Sequence, residues 1–399
     1  MNLIQITPGA GPMFCGGCFR DNALVAALRK LGHATTMVPL YLPLTLDEEN
    51  QSAGTPIFFS GINVYLGEKS AFFRRAPEFL RKCFASPTLL NSAANFASKT
   101  RPQDLGDLTL SMLRGEEGNQ TRELDELISW LKKNGKPDLI SLSNALLIGL
   151  ARKLKRELKV PVVCSLQGED FFLNSLLADY REKAWKLLAQ RAVDVDLFIA
   201  PSIYFASVMR ERLNFPSRKI KVVWNGINLQ GFENRIPNPE SRIPNPVIGF
   251  FARLCQEKGL PALVDAYIEI RKRNRVTNLK LKIGGSFGPA DEPLVNKQKE
   301  KLRGAGVLAE VEFHPNLNRQ DKIKFLKSLT VFSVPAFYGE AFGLYVIEAL
   351  AAGVPVVQPR HAAFPELIEA TSGGILYEPG DFVALADSLE ELLLNPEKV

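Results

Sequence analysis

The sequence predicts an α/β protein: two Rossmann-like domains, each with a parallel, doubly wound sheet, joined by a linker and facing a central cleft. Three observations lead there. Short apolar strands alternate with helices through both halves of the chain, the pattern of a parallel sheet covered on both faces. Four prolines crowd into residues 237–246, in Arg235-Ile236-Pro237-Asn238-Pro239 and again in Arg242-Ile243-Pro244-Asn245-Pro246, where neither a helix nor a central strand could continue. The length, 399 residues, is that of two or three domains with ample material for their cores. The division expected is an N-terminal domain over 1–236, a linker over 237–246 and a C-terminal domain over 247–399.

In the first half, residues 3–7 read as a strand and 9–17 as a glycine-rich loop. A helix over 22–31 follows, with Leu24, Ala27, Leu28 and Leu31 on one face and Gly32 as its stop. Further strands are expected over 35–39, 138–143, 160–166, 197–201 and 220–224. Residues 52–120 are less regular. Within them, Ala71-Phe72-Phe73-Arg74-Arg75 and Phe79-Leu80-Arg81-Lys82-Cys83-Phe84 interleave aromatic and basic side chains. Two readings of residues 71–84 stay open: a peripheral membrane contact, and an amphipathic helix packed on its own domain. The second half reads as a strand over 247–252, a helix over 260–273, and a strand over 279–283 ending at Gly284-Gly285. Strands over 311–314, 331–334 and 354–358 and a helix over 381–394 complete it. Open α/β sheets bind ligands at the carboxyl ends of their strands. That rule singles out the loops at 9–17, 167–170, 253–258, 284–288 and 339–343.

The bulk composition narrows the function. The chain is 46% hydrophobic and 23% charged, with a net charge of +6. Such a mild excess suits an anionic ligand or a membrane surface and is far from a nucleic-acid binder's profile. No apolar run is long enough to span a bilayer, and the N-terminus has no basic n-region or cleavage site, so a cytoplasmic location is expected. Five widely spread cysteines argue against a disulfide framework. Cys15-Gly16-Gly17-Cys18 is a C-x-x-C, open to a metal or redox reading and to that of a glycine-rich loop with two small residues. No second C-x-x-C and no nearby histidine completes a zinc site. With three histidines in all, a mechanism needing several is nearly excluded.

The strongest local signal runs from Tyr338 through Gly339-Glu340-Ala341-Phe342-Gly343-Leu344-Tyr345-Val346-Ile347-Glu348-Ala349 to Gly353-Val354-Pro355. Glu340 sits in a loop after an apolar strand. Glu348 lies one to two turns inside the following helix, which would begin near Phe342-Gly343. The free N–H groups of a helix start attract anions. Carboxylates on either side could grip the hydroxyls of a sugar and of a ribose while the helix start holds phosphate. Upstream, Arg253 falls just beyond a buried strand and Lys258 just before a helix. A guanidinium fork and a mobile ammonium together suit a diphosphate.

These strings resemble the E-x7-E signature and the Gly-Arg-Leu…Lys-Gly segment of retaining glycosyltransferases, in particular glycosyltransferase family 4. The resemblance covers most of the chain and implies a GT-B fold. It implies a metal-independent, retaining transfer of a sugar from a nucleotide-diphosphate sugar to an acceptor hydroxyl, which could belong to a carbohydrate, a lipid or a small molecule. No cofactor is implied. By the same resemblance, Arg253 and Lys258 bind the donor diphosphate. Glu340 holds the donor sugar, and Phe342, Gly343 and Leu344 offer backbone N–H groups to sugar and phosphate. Glu348 takes the ribose hydroxyls. Gly16, Gly17 and Gly284 belong to the glycine-rich donor loops. The histidine that the family usually carries after the strand over 160–166 is replaced by Gln167, in Gln167-Gly168-Glu169-Asp170; glutamine can hold a sugar hydroxyl but cannot act as a base near neutral pH. The one D-x-D, Asp194-Val195-Asp196, reads as polar residues at a helix-to-strand turn, so no metal site is expected. Family members usually continue past the position of Val399 with further helices, which implies a truncated or shorter variant. The competing readings are a catalytically weak sugar-nucleotide-binding protein and another GT-B enzyme such as a nucleotide-sugar epimerase.

Overall fold

A computed structural model of the protein describes residues 1–9, 11, 15–59, 102–233 and 245–395. The aromatic and basic segment at 71–84 and most of the proline-rich linker lie outside the described residues. The chain divides into two compact units, Met1–Gly226 and Ile227–Val399.

The first unit holds a six-stranded sheet in the order β2-β1-β3-β4-β5-β6. Its strands are β1 (Asn2–Thr7), β2 (Ala34–Pro39), β3 (Leu139–Leu142), β4 (Val162–Ser165), β5 (Leu197–Ala200) and β6 (Ile220–Val222). All pair in parallel. Ile6, Val38, Ile140, Leu142, Val162, Cys164 and Phe198 are fully buried. Most of these side chains are β-branched or aromatic, which fits a pleated sheet covered by helices on both faces. Strand order reverses between β1 and β3, so the loops after these two strands border the crevice where such sheets bind ligands.

The second unit repeats the plan, with the order β12-β11-β10-β7-β8-β9, again parallel throughout. Its strands are β7 (Val247–Phe251), β8 (Lys280–Gly285), β9 (Val311–Pro315), β10 (Val331–Phe332), β11 (Val356–Pro359) and β12 (Gly374–Tyr377). Strand order reverses between β7 and β10, which places the loops carrying Arg253–Lys258 and Tyr338–Gly343 side by side at the switch point.

Three details depart from the sequence reading. The first helix spans Gly16–Lys30, so Gly16 and Gly17 lie in its opening turn rather than in a loop. Glycine costs helix stability chiefly in the interior; here extended Cys15 (φ −121) precedes the helix, and its carbonyl accepts from Phe19 N at 3.0 Å. Strand β12, Gly374–Tyr377, was not anticipated. A Cβ on Gly374 would lie 2.1 Å from the Val356 carbonyl oxygen, so glycine is what lets this strand approach β11. The division between units falls at Gly226, ahead of the prolines. Phe232 is buried in the second core. Arg319 Nη2 donates to the carbonyls of Asn228 and Gln230, and Lys327 Nζ to those of Gly231 and Glu233, at 2.8–2.9 Å. Among the described residues, no helix is long and apolar enough to cross a membrane.

Candidate functional site

After β7 the chain turns down through buried Leu254, whose N–H donates to Ser286 O at 3.0 Å, and this leaves Arg253 pointing outward. Its side chain is 58% exposed, held at one edge by Asp291 Oδ1 at 3.1 and 3.2 Å. Asp291 is itself buried, and its other oxygen accepts from Gly288 N at 3.1 Å. A carboxylate that grips one side of a guanidinium orients the fork while the remaining N–H groups stay available.

Lys258 stands one residue before Gly259, the N-cap of the helix Leu260–Arg273. Gly259 has φ +78, and a Cβ there would lie 2.0 Å from the Pro335 carbonyl oxygen. The helix start and the loop after β10 therefore touch backbone to backbone. Across that contact Lys258 Nζ meets Glu340 Oε2 at 2.5 Å and donates also to the Tyr338 hydroxyl. It lies 4.9 Å from the centre of the Tyr338 ring and 5.1 Å from that of Tyr345, within cation–π range of both. Tyr338 and Tyr345 each donate to Glu340 Oε2, at 2.9 and 2.8 Å. Thus three donors converge on one carboxylate oxygen, and among the described residues no bond falls on Oε1. Burial pushes the Glu340 carboxyl up, but the Lys258 charge and the bonds from Lys258, Tyr345 and Tyr338 outweigh it and hold the group below the usual carboxylate range. Burial, followed by the neighbouring Glu340 charge, pushes the Tyr345 phenol well above its ordinary value, so it stays a donor.

Past Glu340 the chain runs through buried Phe342 to Gly343 (φ +92), the N-cap of the helix Leu344–Ala351. No side chain caps this end. Glu348 is the fifth residue of the helix. Its side chain is mostly covered, and the partner the structure supplies is Lys322, 2.9 Å from Oε1. Gly284 is the last residue but one of β8; a Cβ there would press on the Phe251 ring at 2.7 Å, so its first duty is packing near the strand end.

In the first unit, Arg20 gathers the sequence-singled residues into one corner. It follows Gly16 and Gly17 on the first helix, with Nη1 donating to Ser165 Oγ at 3.0 Å and Nη2 to Ser143 O at 3.1 Å. With the Gln167 amide oxygen turned toward it, Arg20 Nε donates there at 2.6 Å. Gln167 N donates to Glu169 Oε2 at 2.9 Å, and Ala145 N to Glu169 Oε1 at 2.7 Å, so Glu169 ties the loop after β4 to the loop after β3. Asp196 is committed to the scaffold: it accepts from Val162 N at 2.8 Å and pairs with Lys155 at 2.7 Å. Among the described residues, no three histidine, cysteine or carboxylate side chains gather as a metal site.

Arg20, Asp291, Lys322, Tyr338 and Tyr345 escaped the sequence reading. The tyrosines carried a signal, flanking Glu340 at two residues before and five after. Lys322 and Asp291 carried none, since each meets its partner only through the fold.

Residues 109–230 match the family model described as Glycosyltransferase Family 4, and residues 233–399 match that of Glycosyl transferases group 1. Over 148 residues the chain is 32% identical to the D-inositol 3-phosphate glycosyltransferase of Corynebacterium diphtheriae, covering 37% of this chain and 34% of that one. The matches span less than half the length of the curated relatives. Among solved structures, Anabaena HepE in complex with UDP superposes with a TM-score of 0.65 at 15% identity, covering 100% of this chain and 91% of that one. Sucrose-phosphate synthase from Thermosynechococcus elongatus gives 0.69 at 16%, covering 100% and 90%. At such identities the likeness shows the fold, which is GT-B. With one family model matched in each unit, the chain belongs to the family 4, group 1 glycosyltransferases.

Proposed function

We propose that the protein is a retaining, metal-independent glycosyltransferase that moves a sugar from a nucleoside-diphosphate sugar to an acceptor hydroxyl. The observation that carries this reading is the Lys258–Glu340 pair at an uncapped helix start, beside an outward-pointing Arg253. In this reading Arg253, Lys258 and the N–H groups at Gly343 and Leu344 hold the diphosphate. The UDP bound by the Anabaena neighbour supports a nucleoside diphosphate in that role. Glu340 turns Oε1 to a donor-sugar hydroxyl, and Glu348 holds the ribose. The bond between the anomeric carbon and the phosphate oxygen breaks, with its electron pair leaving on the diphosphate. The acceptor oxygen bonds on the same face and passes its proton to the departing phosphate oxygen. No protein base enters, in keeping with glutamine at position 167.

Donor binding is tested at Arg253, whose own side chain is 58% exposed; its loss leaves the buried Asp291 carboxylate with Gly288 N as its partner. Arg253→Ala should weaken donor binding at least tenfold, about 1.4 kcal/mol, with folding checked by the melting curve. Unchanged affinity in the folded variant would sink the assignment. The reaction itself is followed as nucleoside diphosphate release in excess chelator, with the product's anomeric configuration read by NMR. Retention with activity intact is expected; inversion would overturn the stereochemistry, and loss of activity in chelator the metal independence.

A further inference from the structure

Cys15 and Cys18 flank the opening turn of the Gly16–Lys30 helix and have no part in the proposed transfer. Cys15 is the N-cap, with extended backbone (φ −121, ψ 114), and is partly exposed; Cys18, in the first turn, is 2% exposed. Residues three apart at a helix end stand within about 5–6 Å of each other. A disulfide needs Cβ atoms at about 3.5–4.5 Å. Because Cys15 lies outside the helical backbone, the remaining gap closes by rotation at that residue and leaves the helix wound. The two thiols act on each other's ionisation. That interaction brings the Cys15 thiol down to about 7, against the upward push of burial. The same interaction and burial raise Cys18 far above its ordinary value. The other thiols among the described residues go the opposite way from Cys15: burial pushes Cys164 well up and Cys255 to about 11.

We propose that Cys15 and Cys18 are a redox-active dithiol, with Cys15 the attacking sulfur and Cys18 the resolving one. The inference rests on a partly exposed cysteine and a buried one paired at a helix start, the arrangement that favours thiolate attack at the outer position. The oxidant is a small disulfide. The Cys15 thiolate attacks one of its sulfurs and expels the first thiolate, which gives a mixed disulfide. Cys18 then attacks Cys15 Sγ and expels the second. The two protons of the pair end on the two released thiols, and the two electrons lost by the pair reduce the small disulfide.

The full-length chain, reduced and then equilibrated with mixtures of reduced and oxidised glutathione, is alkylated and digested with trypsin. The first tryptic peptide, residues 1–20, carries both cysteines and no other. It should lose two hydrogens and both alkylation sites in a single redox transition. In Cys18→Ser, glutathione should accumulate on Cys15 at least about tenfold faster than it does on Cys18 in Cys15→Ser. Persistent alkylation of both thiols in excess glutathione disulfide would overturn the proposal, as would a disulfide to a cysteine outside this peptide or faster trapping at Cys18. The wild-type peptide map decides the first two outcomes even if a variant fails to fold.

Discussion

Lys258→Met is expected to destabilise the protein by about 3–5 kcal/mol and to lower donor turnover at least about 100-fold. Lys258 is the one cation among the three donors on Glu340 Oε2, and both partners are largely covered, at 19% and 13% exposure. Methionine keeps much of the stem's packing, so the loss falls on the charge. The carboxylate left behind can escape part of the penalty by taking up a proton, and this reverses the pH response. In the native protein the Glu340 carboxyl lies below its ordinary value. Its contribution to stability is therefore complete above the usual carboxylate range and is lost as the pH falls through the lowered value. Without Lys258, burial alone raises the carboxyl. The variant should then lose stability as the pH rises from the ordinary carboxylate value through the raised one. Urea unfolding of both proteins between pH 4 and pH 8 reads the two slopes directly; parallel curves would refute the pairing. The double variant Lys258→Met, Glu340→Gln should recover a large part of the loss, since it removes the stranded charge.

Gly259→Ala should cost about 2–5 kcal/mol and lower Tm by roughly 5–15 °C. Two effects add. The backbone there has φ +78, which an L side chain adopts only with strain, and the new methyl would lie 2.0 Å from the Pro335 carbonyl oxygen and 2.5 Å from its carbon. Neither neighbour is a flexible side chain. The loop after β10 or the start of the Leu260–Arg273 helix must shift, and either shift pulls Lys258 from Glu340. Donor affinity should fall together with stability. Gly304→Ala is the comparison: its Cβ would meet nothing within 4 Å, and its Tm should change by no more than about 2 °C. Equal melting curves for the two variants would show that the two loops do not meet as described.

Much of this architecture is legible in the sequence because buried parallel strands are short apolar runs between glycine-rich turns. Val247–Phe251 is such a case, and the helix Leu260–Arg273 that follows is legible from its recurring apolar positions. Gly16-Gly17 looks like a loop, since glycine's weak propensity is all a sequence displays; at Gly374 the close approach that glycine permits appears only once Val356 is placed beside it. The same divide runs through the site. Arg253, Lys258, Glu340 and Glu348 stand out by spacing, whereas what each charge touches could not be read. Spacing offered no hint that Lys258 would spend its charge on Glu340, or that Lys322 would meet Glu348 from a different helix.

The clasp on residues 227–233 bears on how the C-terminal half could be produced alone. A fragment cut at Val247, where the sheet begins, would leave Arg319 and Lys327 without four carbonyl partners and open the core where Phe232 sits. A fragment starting at Ile227 keeps all of them. The natural excision point therefore precedes the prolines, and this lead-in works as a structural seal on the second unit's core.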